Sequence, residues 1–149
     1  MKQAGIFFAI VLSVFIIDSA NAQDYKAAIG IRFSSKAALV NNSVSLKYFF
    51  TEKTAVEGLI TFNDPFALGL LVEQHKPLTN KFKYFYGAGF YGAFAGSRRA
   101  GLQGVLGLDY KVPMIPMNFS IDWKPELTFT KEFSFEPQAL GLSARFTFK

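Results

Sequence analysis

The sequence predicts an all-β protein, an antiparallel up-and-down β-barrel of eight strands, and three observations carry this prediction. Apolar and polar residues alternate strictly over 117–129, with the two-residue period of a β-strand. Turn-forming residues recur at short intervals and separate eight segments of similar length. No segment after the first two dozen residues shows a sustained helical i, i+3, i+4 pattern with caps.

The beginning of the chain predicts a secretory signal peptide. Lys2 precedes an apolar run, 6–17, and small residues follow up to Ala22. This pattern is typical of a signal peptide cleaved after Ala22, and the run is short against the ~20 residues that span a bilayer. The predicted organisation is therefore a signal peptide, 1–22, followed by one barrel domain, 23–149.

Composition limits the classes of function. The chain has no cysteine, which excludes disulfides and thiolate metal sites. Its net charge is +5, and an exported basic protein is expected to meet an anionic membrane surface rather than nucleic acid. Aromatic residues make up 17% of the chain, yet no later segment is long and apolar enough for a transmembrane helix. Any membrane crossing is therefore expected to use strands.

Seven turns separate eight expected strands. These are 25–33, 43–50, 54–62, 66–75, 82–94, 100–110, 117–129 and 138–148. The alternation is less clean in the third to fifth strands, where Leu59, Leu71, Phe85 and Tyr91 fall on the nominally polar face. Pro125 cannot donate to a strand ladder, so we expect a bulge or the outer rim of the barrel near it.

Alternation by itself leaves open which face lies inside. A soluble lipocalin-like barrel turns its apolar face inward, whereas a transmembrane barrel turns it towards lipid. Small residues are frequent on the polar face, as a narrow lumen requires, and the charges on that face nearly balance. The apolar face carries almost no charge, and aromatics gather near strand ends as interfacial girdles do. These features favour a transmembrane barrel.

The charged residues of the polar face are assigned to a lumen charge network. Enclosed charges must be paired to offset the cost of desolvation, and this set contains six cations and five anions. The assigned residues are Lys26, Arg32, Lys47, Glu57, Glu73, Lys83, Asp109, Asp122, Lys124, Glu126 and Arg145.

Other candidate sites have simpler interpretations. The stretch GAGFYG, 87–92, matches a dinucleotide-binding pattern but lies within a predicted strand with no helix after it. His75 is the only histidine and has no serine near it in sequence, so no catalytic, cofactor-binding or metal site is expected. Arg98 and Arg99 are candidate contacts to lipopolysaccharide phosphates, because arginine binds phosphate in a bidentate fork.

The end of the chain resembles a known family. The stretches IPMNFSIDWKPELTF and GLSARFTFK look like the last two strands of small OmpA/OmpX-type outer-membrane barrels, in the form common in Bacteroidota. The resemblance implies an eight-stranded transmembrane β-barrel in the outer membrane with both termini in the periplasm. It also implies that Phe146 and Phe148 form the terminal signal read by the barrel-assembly machinery.

The expected function follows from these points. We expect a monomeric, non-enzymatic integral outer-membrane protein with a packed polar lumen and no cofactor. Its role would be structural or a surface interaction, and its partners outer-membrane lipid, including lipopolysaccharide, without nucleic acid. Two alternatives remain open: a narrow pore for water or small ions, and a soluble periplasmic lipocalin-like ligand carrier. An enzyme acting on lipid would need activity that depends on His75.

Overall fold

A computed structural model describes residues 25–35, 40–62, 66–94, 98–130 and 132–149. The predicted signal peptide, 1–22, lies outside the described residues. Within the described ranges, no helix is long and apolar enough to cross a membrane.

The described residues form ten antiparallel β-strands arranged as a closed barrel with eight strand positions in its wall, each of which we call a stave. Consecutive staves pair with each other, and β1 pairs with β10 to close the barrel, with Ala27 opposite Phe148. The strands are β1 (Ala27–Ser34), β2 (Ser43–Phe49), β3 (Thr54–Thr61), β4 (Ala67–Pro77), β5 (Phe82–Ala93), β6 (Arg99–Lys111), β7 (Met117–Trp123), β8 (Glu126–Thr128), β9 (Ser134–Glu136) and β10 (Leu140–Phe148). The predicted fold, an all-β eight-stranded antiparallel up-and-down barrel, is confirmed.

The seventh and eighth staves each consist of two strands. β7 and β8 both pair with β6 in one continuous register, and the seventh stave is interrupted only at Lys124 and Pro125. Pro125 has no N–H to donate, but its carbonyl accepts a hydrogen bond from the Gly104 amide at 3.0 Å. The proline therefore removes one donor from the ladder without changing the pairing.

The bulge expected near Pro125 lies on the facing strand. Trp123 is opposite Leu140, whereas Glu126 is opposite Glu136, so two residues of the seventh stave face three of the eighth. One extra residue on one side of an antiparallel pair is a β-bulge. The indole N–H of Trp123 donates to the carbonyl of Pro137, within the bulge, at 2.6 Å.

The two ends of the barrel differ in what they carry. The termini end is the end where β1 begins and β10 ends, and it also carries the turns 50–53, 78–81 and 112–116. The loop end carries the other four connections between staves.

Side chains alternate between the lumen and the outer surface, as the sequence predicts. Along β7, Phe119 and Ile121 are 44% and 50% exposed, whereas the alternate residues Ser120 and Asp122 are buried. The same alternation of buried and exposed residues is regular in β2, β4 and β10. The polar face is therefore the inside of the barrel, and the apolar face is the outside.

The lumen is polar in one sector and apolar in another. Leu59, Leu71, Phe85 and Tyr91 point inward and form a buried apolar cluster with residues that include Val105 and Val40. These are the residues that made the alternation of the third to fifth strands less clean. The lumen is packed, but the prediction that it is polar was wrong for this sector.

Glycines allow large side chains and close strand contacts inside the narrow barrel. A Cβ at Gly141 would lie 2.5 Å from the Arg32 guanidinium, and one at Gly107 would lie 2.4 Å from the Phe85 ring. A Cβ at Gly89, in β5, would lie 1.8 Å from the backbone carbonyl oxygen of Leu70 in the neighbouring strand. Position 89 therefore requires glycine, because the backbones of β4 and β5 approach each other closely there.

We expect the substitution Gly89→Ala to destabilise the barrel and Gly58→Ala to be tolerated. The added methyl group at Gly89 collides with backbone, and overpacking of this kind costs about 1–3 kcal/mol or more. At Gly58 the nearest atom to the same methyl group is 4.0 Å away. Gel electrophoresis without boiling measures the folded fraction of both variants. Equal folding of the two would contradict this account of β5.

Candidate functional site: the charged lumen

The lumen holds most of the buried charged side chains among the described residues. Nine of the eleven residues assigned to the network are buried inside the barrel. They are Arg32, Lys47, Glu57, Glu73, Asp109, Asp122, Lys124, Glu126 and Arg145. They come from seven of the eight staves, all except β5, so the network connects the wall of the barrel across its interior.

The remaining two assigned residues lie elsewhere. Lys83 is partly buried and lies opposite Asp109 in the β5–β6 pairing. The assignment of Lys26 to the lumen was wrong, because Lys26 precedes β1 at the termini end and is exposed. Its ammonium group lies 5.8 Å from the centre of the Tyr48 ring, on the outer surface.

Arg32 and Asp122 form the best-defined pair of the network. The guanidinium Nη2 donates to Asp122 Oδ1 at 2.6 Å, and Nε lies 3.1 Å from both carboxylate oxygens. Both side chains are fully enclosed. A guanidinium and a carboxylate joined by more than one hydrogen bond form a strong and directional pair.

Glu57 connects three staves at the centre of the lumen. Its Oε2 lies 2.9 Å from Lys124 Nζ, which also lies 3.3 Å from Asp122 Oδ2. Its Oε1 accepts hydrogen bonds from the Arg145 guanidinium and from the Ser45 hydroxyl. The Ser45 oxygen in turn accepts from Arg145 Nε at 2.7 Å. Arg32, Asp122, Lys124, Glu57 and Arg145 thus form one connected chain of charges.

A second group of charges surrounds Glu73. Its Oε2 lies 2.8 Å from Lys47 Nζ and 2.9 Å from His75 Nε2. The Lys47 ammonium lies 4.4 Å from the centre of the Phe85 ring, and the His75 ring stacks on the same phenyl ring. Phe85 therefore separates this group from the apolar sector of the lumen.

Asp109 completes the network at the termini end. Its carboxylate accepts the Tyr25 hydroxyl at 2.9 Å and the Asn118 amide at 2.8 Å. Burial, and then the neighbouring Asp109 carboxylate, raise the pKa of Tyr25 well above its usual value. The phenol therefore stays protonated and remains a donor to Asp109.

Glu126 anchors the connection between β1 and β2 at the loop end. Its Oε1 accepts the backbone N–H of Val40 at 2.9 Å and the Gln103 amide at 3.2 Å. The Val40 carbonyl accepts from Arg32 Nη1 at 3.4 Å. Val40 thus lies inside the barrel mouth with both of its backbone groups bonded to lumen side chains.

Sequence reasoning missed several members of the network. Tyr25, Ser45, Asn118 and Ser120 all hydrogen-bond to its charged groups, and Val40 closes its loop end. The inward position of Ser45, Asn118 and Ser120 was available from the alternation. The sequence around Val40 does not indicate this role, because the role depends on hydrogen bonds to Glu126 and Arg32 inside the barrel.

The charges of the lumen balance once Lys26 is removed from the set. Four buried cations and the partly buried Lys83 face five carboxylates. A buried charge without a partner is strongly destabilising, so near-equality is what a closed interior requires. The physical effect of this arrangement is to neutralise the lumen internally.

His75, the single histidine, lies on β4 with its side chain buried. His75 contacts Glu73 through Nε2, while its Nδ1 has no hydrogen-bond partner, and no described hydroxyl group is bonded to the ring. Among these residues no group of three or more side chains is placed to hold a metal ion. The GAGFYG stretch, 87–92, lies within β5.

The remaining assigned residues lie on the surface. Arg98 and Arg99 are exposed at the loop end, where β6 begins. Phe146 is 57% exposed on the outer face of β10, and Phe148 lies on the same face at the end of the strand.

Comparison with protein-family models, with curated proteins and with solved structures finds no match to this chain. The eight-stranded closed barrel is compatible with the small outer-membrane type that the end of the sequence resembles. The polarity and packing of the barrel are therefore the observations that bear on its function.

We expect Glu57→Gln to lower the free energy of unfolding by about 3–5 kcal/mol, because it leaves the buried Lys124 and Arg145 short of a carboxylate. Glu52→Gln, on an exposed turn, is the matched control and is expected to change it by less than about 0.5 kcal/mol. Urea titration followed by the fluorescence of Trp123, the single tryptophan, measures both.

A double variant tests whether Glu57 is coupled to Lys124. If it is, E57Q/K124M lowers the free energy of unfolding by less than the sum of the two single variants. Strict additivity would contradict the network.

Proposed function

We propose that this chain is an integral outer-membrane β-barrel protein without enzymatic activity, with a structural or surface-interaction role. The observation that carries the proposal is the inverted polarity of the barrel. Charged side chains such as Arg32, Glu57 and Arg145 are enclosed, whereas large apolar side chains cover the outside. A protein dissolved in water has the opposite arrangement, and the hydrocarbon of a bilayer favours this one.

The apolar outer surface is extensive and continuous around the barrel. Monomeric soluble proteins rarely expose apolar patches larger than a few hundred Å². Outward-facing members from the eight staves include the partly exposed Ile60 and the exposed Ile31, Leu46, Leu70, Phe90, Leu102, Ile121 and Leu142. In water such a surface would cause association, so contact with lipid is the environment that explains it.

The packing of the lumen argues against a lipocalin-like carrier. A carrier needs an apolar cavity open to a ligand. Here the apolar sector is filled by Leu71, Phe85, Tyr91 and their neighbours, each almost completely buried. The rest of the lumen holds paired charges. The proposed role is therefore one in which the outer surface and the exposed ends, rather than the interior, make the contacts.

Two surface features fit the proposed location. Arg98 and Arg99 are exposed together at the loop end and would face lipopolysaccharide phosphates if that end lies at the outer leaflet. Phe146 and Phe148 share the outer face of the last strand, where the barrel-assembly machinery would read them. Both roles are part of the proposal, as is a monomeric state.

We expect Val72→Arg to impair insertion, because Val72 is 51% exposed near the middle of β4 and arginine at the bilayer midplane costs about 2–4 kcal/mol. Leu78→Arg is the control, since Leu78 is comparably exposed, at 58%, but lies in a turn at the termini end. The measurements are urea titration in lipid vesicles and quenching of Trp123 by brominated acyl chains. A chain that folds in buffer without lipid, with both variants equally stable, would contradict membrane insertion.

Planar-bilayer recording tests the alternative of a narrow pore. The fully enclosed Arg32–Asp122 pair and its neighbours occupy the lumen, so we expect no steady conductance from the wild-type protein. Conductance that is present in the wild type and changes in the variant Arg32→Met would instead favour a pore.

A further inference from the structure

A pocket opens at the termini end of the barrel, below the charged lumen. It has a volume of about 370 Å³, which lies within the range of small-ligand sites. It is framed by the turns 78–81 and 112–116 together with the start of β1 and the end of β10. The pocket shares Tyr25, Lys83 and Asp109 with the termini end of the charge network, whereas its other lining residues take no part in that network.

Four lysines line the pocket: Lys81, Lys83, Lys111 and Lys149. The carboxylate of Asp109 also lines it, but this group already accepts hydrogen bonds from Tyr25 and Asn118. Even with a main-chain carboxylate at Lys149 counted beside Asp109, the ammonium groups outnumber the carboxylates by four to two. The pocket therefore has an excess of positive charge.

The lining also contains an apolar group. It is formed by Phe49 and by Val112, Pro113 and Met114 of the turn between β6 and β7. The turn is held in place by the Lys111 ammonium, which donates to the carbonyls of Val112 and Ile115 at 2.9 and 2.7 Å. A lining that combines ammonium groups with apolar side chains suits a ligand with an anionic group and an apolar or neutral body.

The geometry distinguishes this pocket from an ordinary basic surface. Other lysines at the same end, Lys26, Lys53 and Lys76, are exposed and do not line it. Charges that converge on a concave, partly enclosed space act through a lower effective dielectric than charges spread over a convex surface. The pocket lysines are therefore the ones expected to hold an anion.

We propose that this pocket binds a phosphate group. Phosphate carries enough negative charge to engage several ammonium groups at once, and lysine binds it as a point charge. The group belongs either to a soluble phosphate compound or to the headgroup of a phospholipid in the adjacent leaflet. The proposal rests on the pocket alone and does not require membrane insertion.

The test titrates the folded protein in octyl glucoside, an uncharged detergent, by isothermal calorimetry. One arm uses pyrophosphate as a soluble probe, and the other uses short-chain phosphatidylglycerol as a headgroup probe. Binding in either arm is expected to weaken as NaCl is raised, because salt screens the lysines. Binding of pyrophosphate alone identifies a soluble source, and preferential binding of phosphatidylglycerol identifies a lipid.

The decisive variant is K81Q/K149Q, which removes the two exposed lysines of the pocket and leaves Lys111 to hold its turn. We expect the affinity for the bound probe to fall at least tenfold, since two charge-assisted contacts are lost. The matched control K26Q/K53Q removes the same charge at the same end outside the pocket, and its affinity is expected to stay within twofold of wild type. The compact band on an unboiled gel verifies that both variants are folded.

Three results would overturn the proposal. They are the absence of binding in both arms, equal affinity of K81Q/K149Q and wild type, and an equal loss of affinity in K26Q/K53Q. The last would show a diffuse effect of net charge. None of these results bears on the partition of the protein into lipid, so this site and the membrane assignment can fail independently.

Discussion

Two carboxylates inside this barrel, Glu57 and Asp122, each contact two cations, and the closed shape of the molecule depends on that sharing. Glu57, on β3, bonds Arg145 of β10 and Lys124 of the seventh stave, and Lys124 also reaches Asp122. Contacts of this kind join staves that are far apart in sequence across the lumen. Because an unpartnered charge in such an interior is very costly, the barrel can close only in the register that brings these groups together.

The apolar sector and the charged sector of the lumen pack against each other through Phe85. Phe85 lies between them, with Lys47 and His75 on its ring and the Leu71 cluster beyond it. The glycine at Gly107 provides the space that this ring occupies. Large and small residues therefore alternate around the interior, which lets a narrow barrel be filled rather than hollow.

The inverted polarity links the fold to the proposed function. Internal pairing neutralises the charges that the chain encloses, and the outer surface is left to apolar side chains. The ends of the barrel differ in chemistry: lysines surround the termini end, and Arg98 and Arg99 lie at the loop end. In the proposed membrane location the two ends would face different leaflets, and the proposed phosphate pocket lies at the termini end.

The sequence alone determined the class of fold, the eight staves and which face points inward. These follow from a period of two residues and from turn residues, which are local properties of the chain. Only the tertiary structure decided that Glu57 serves both Lys124 and Arg145, that Val40 closes the loop end, and that Lys26 lies outside. Those outcomes depend on how the staves are staggered around the barrel, because the stagger sets which inward residues share a height, and no local pattern encodes it.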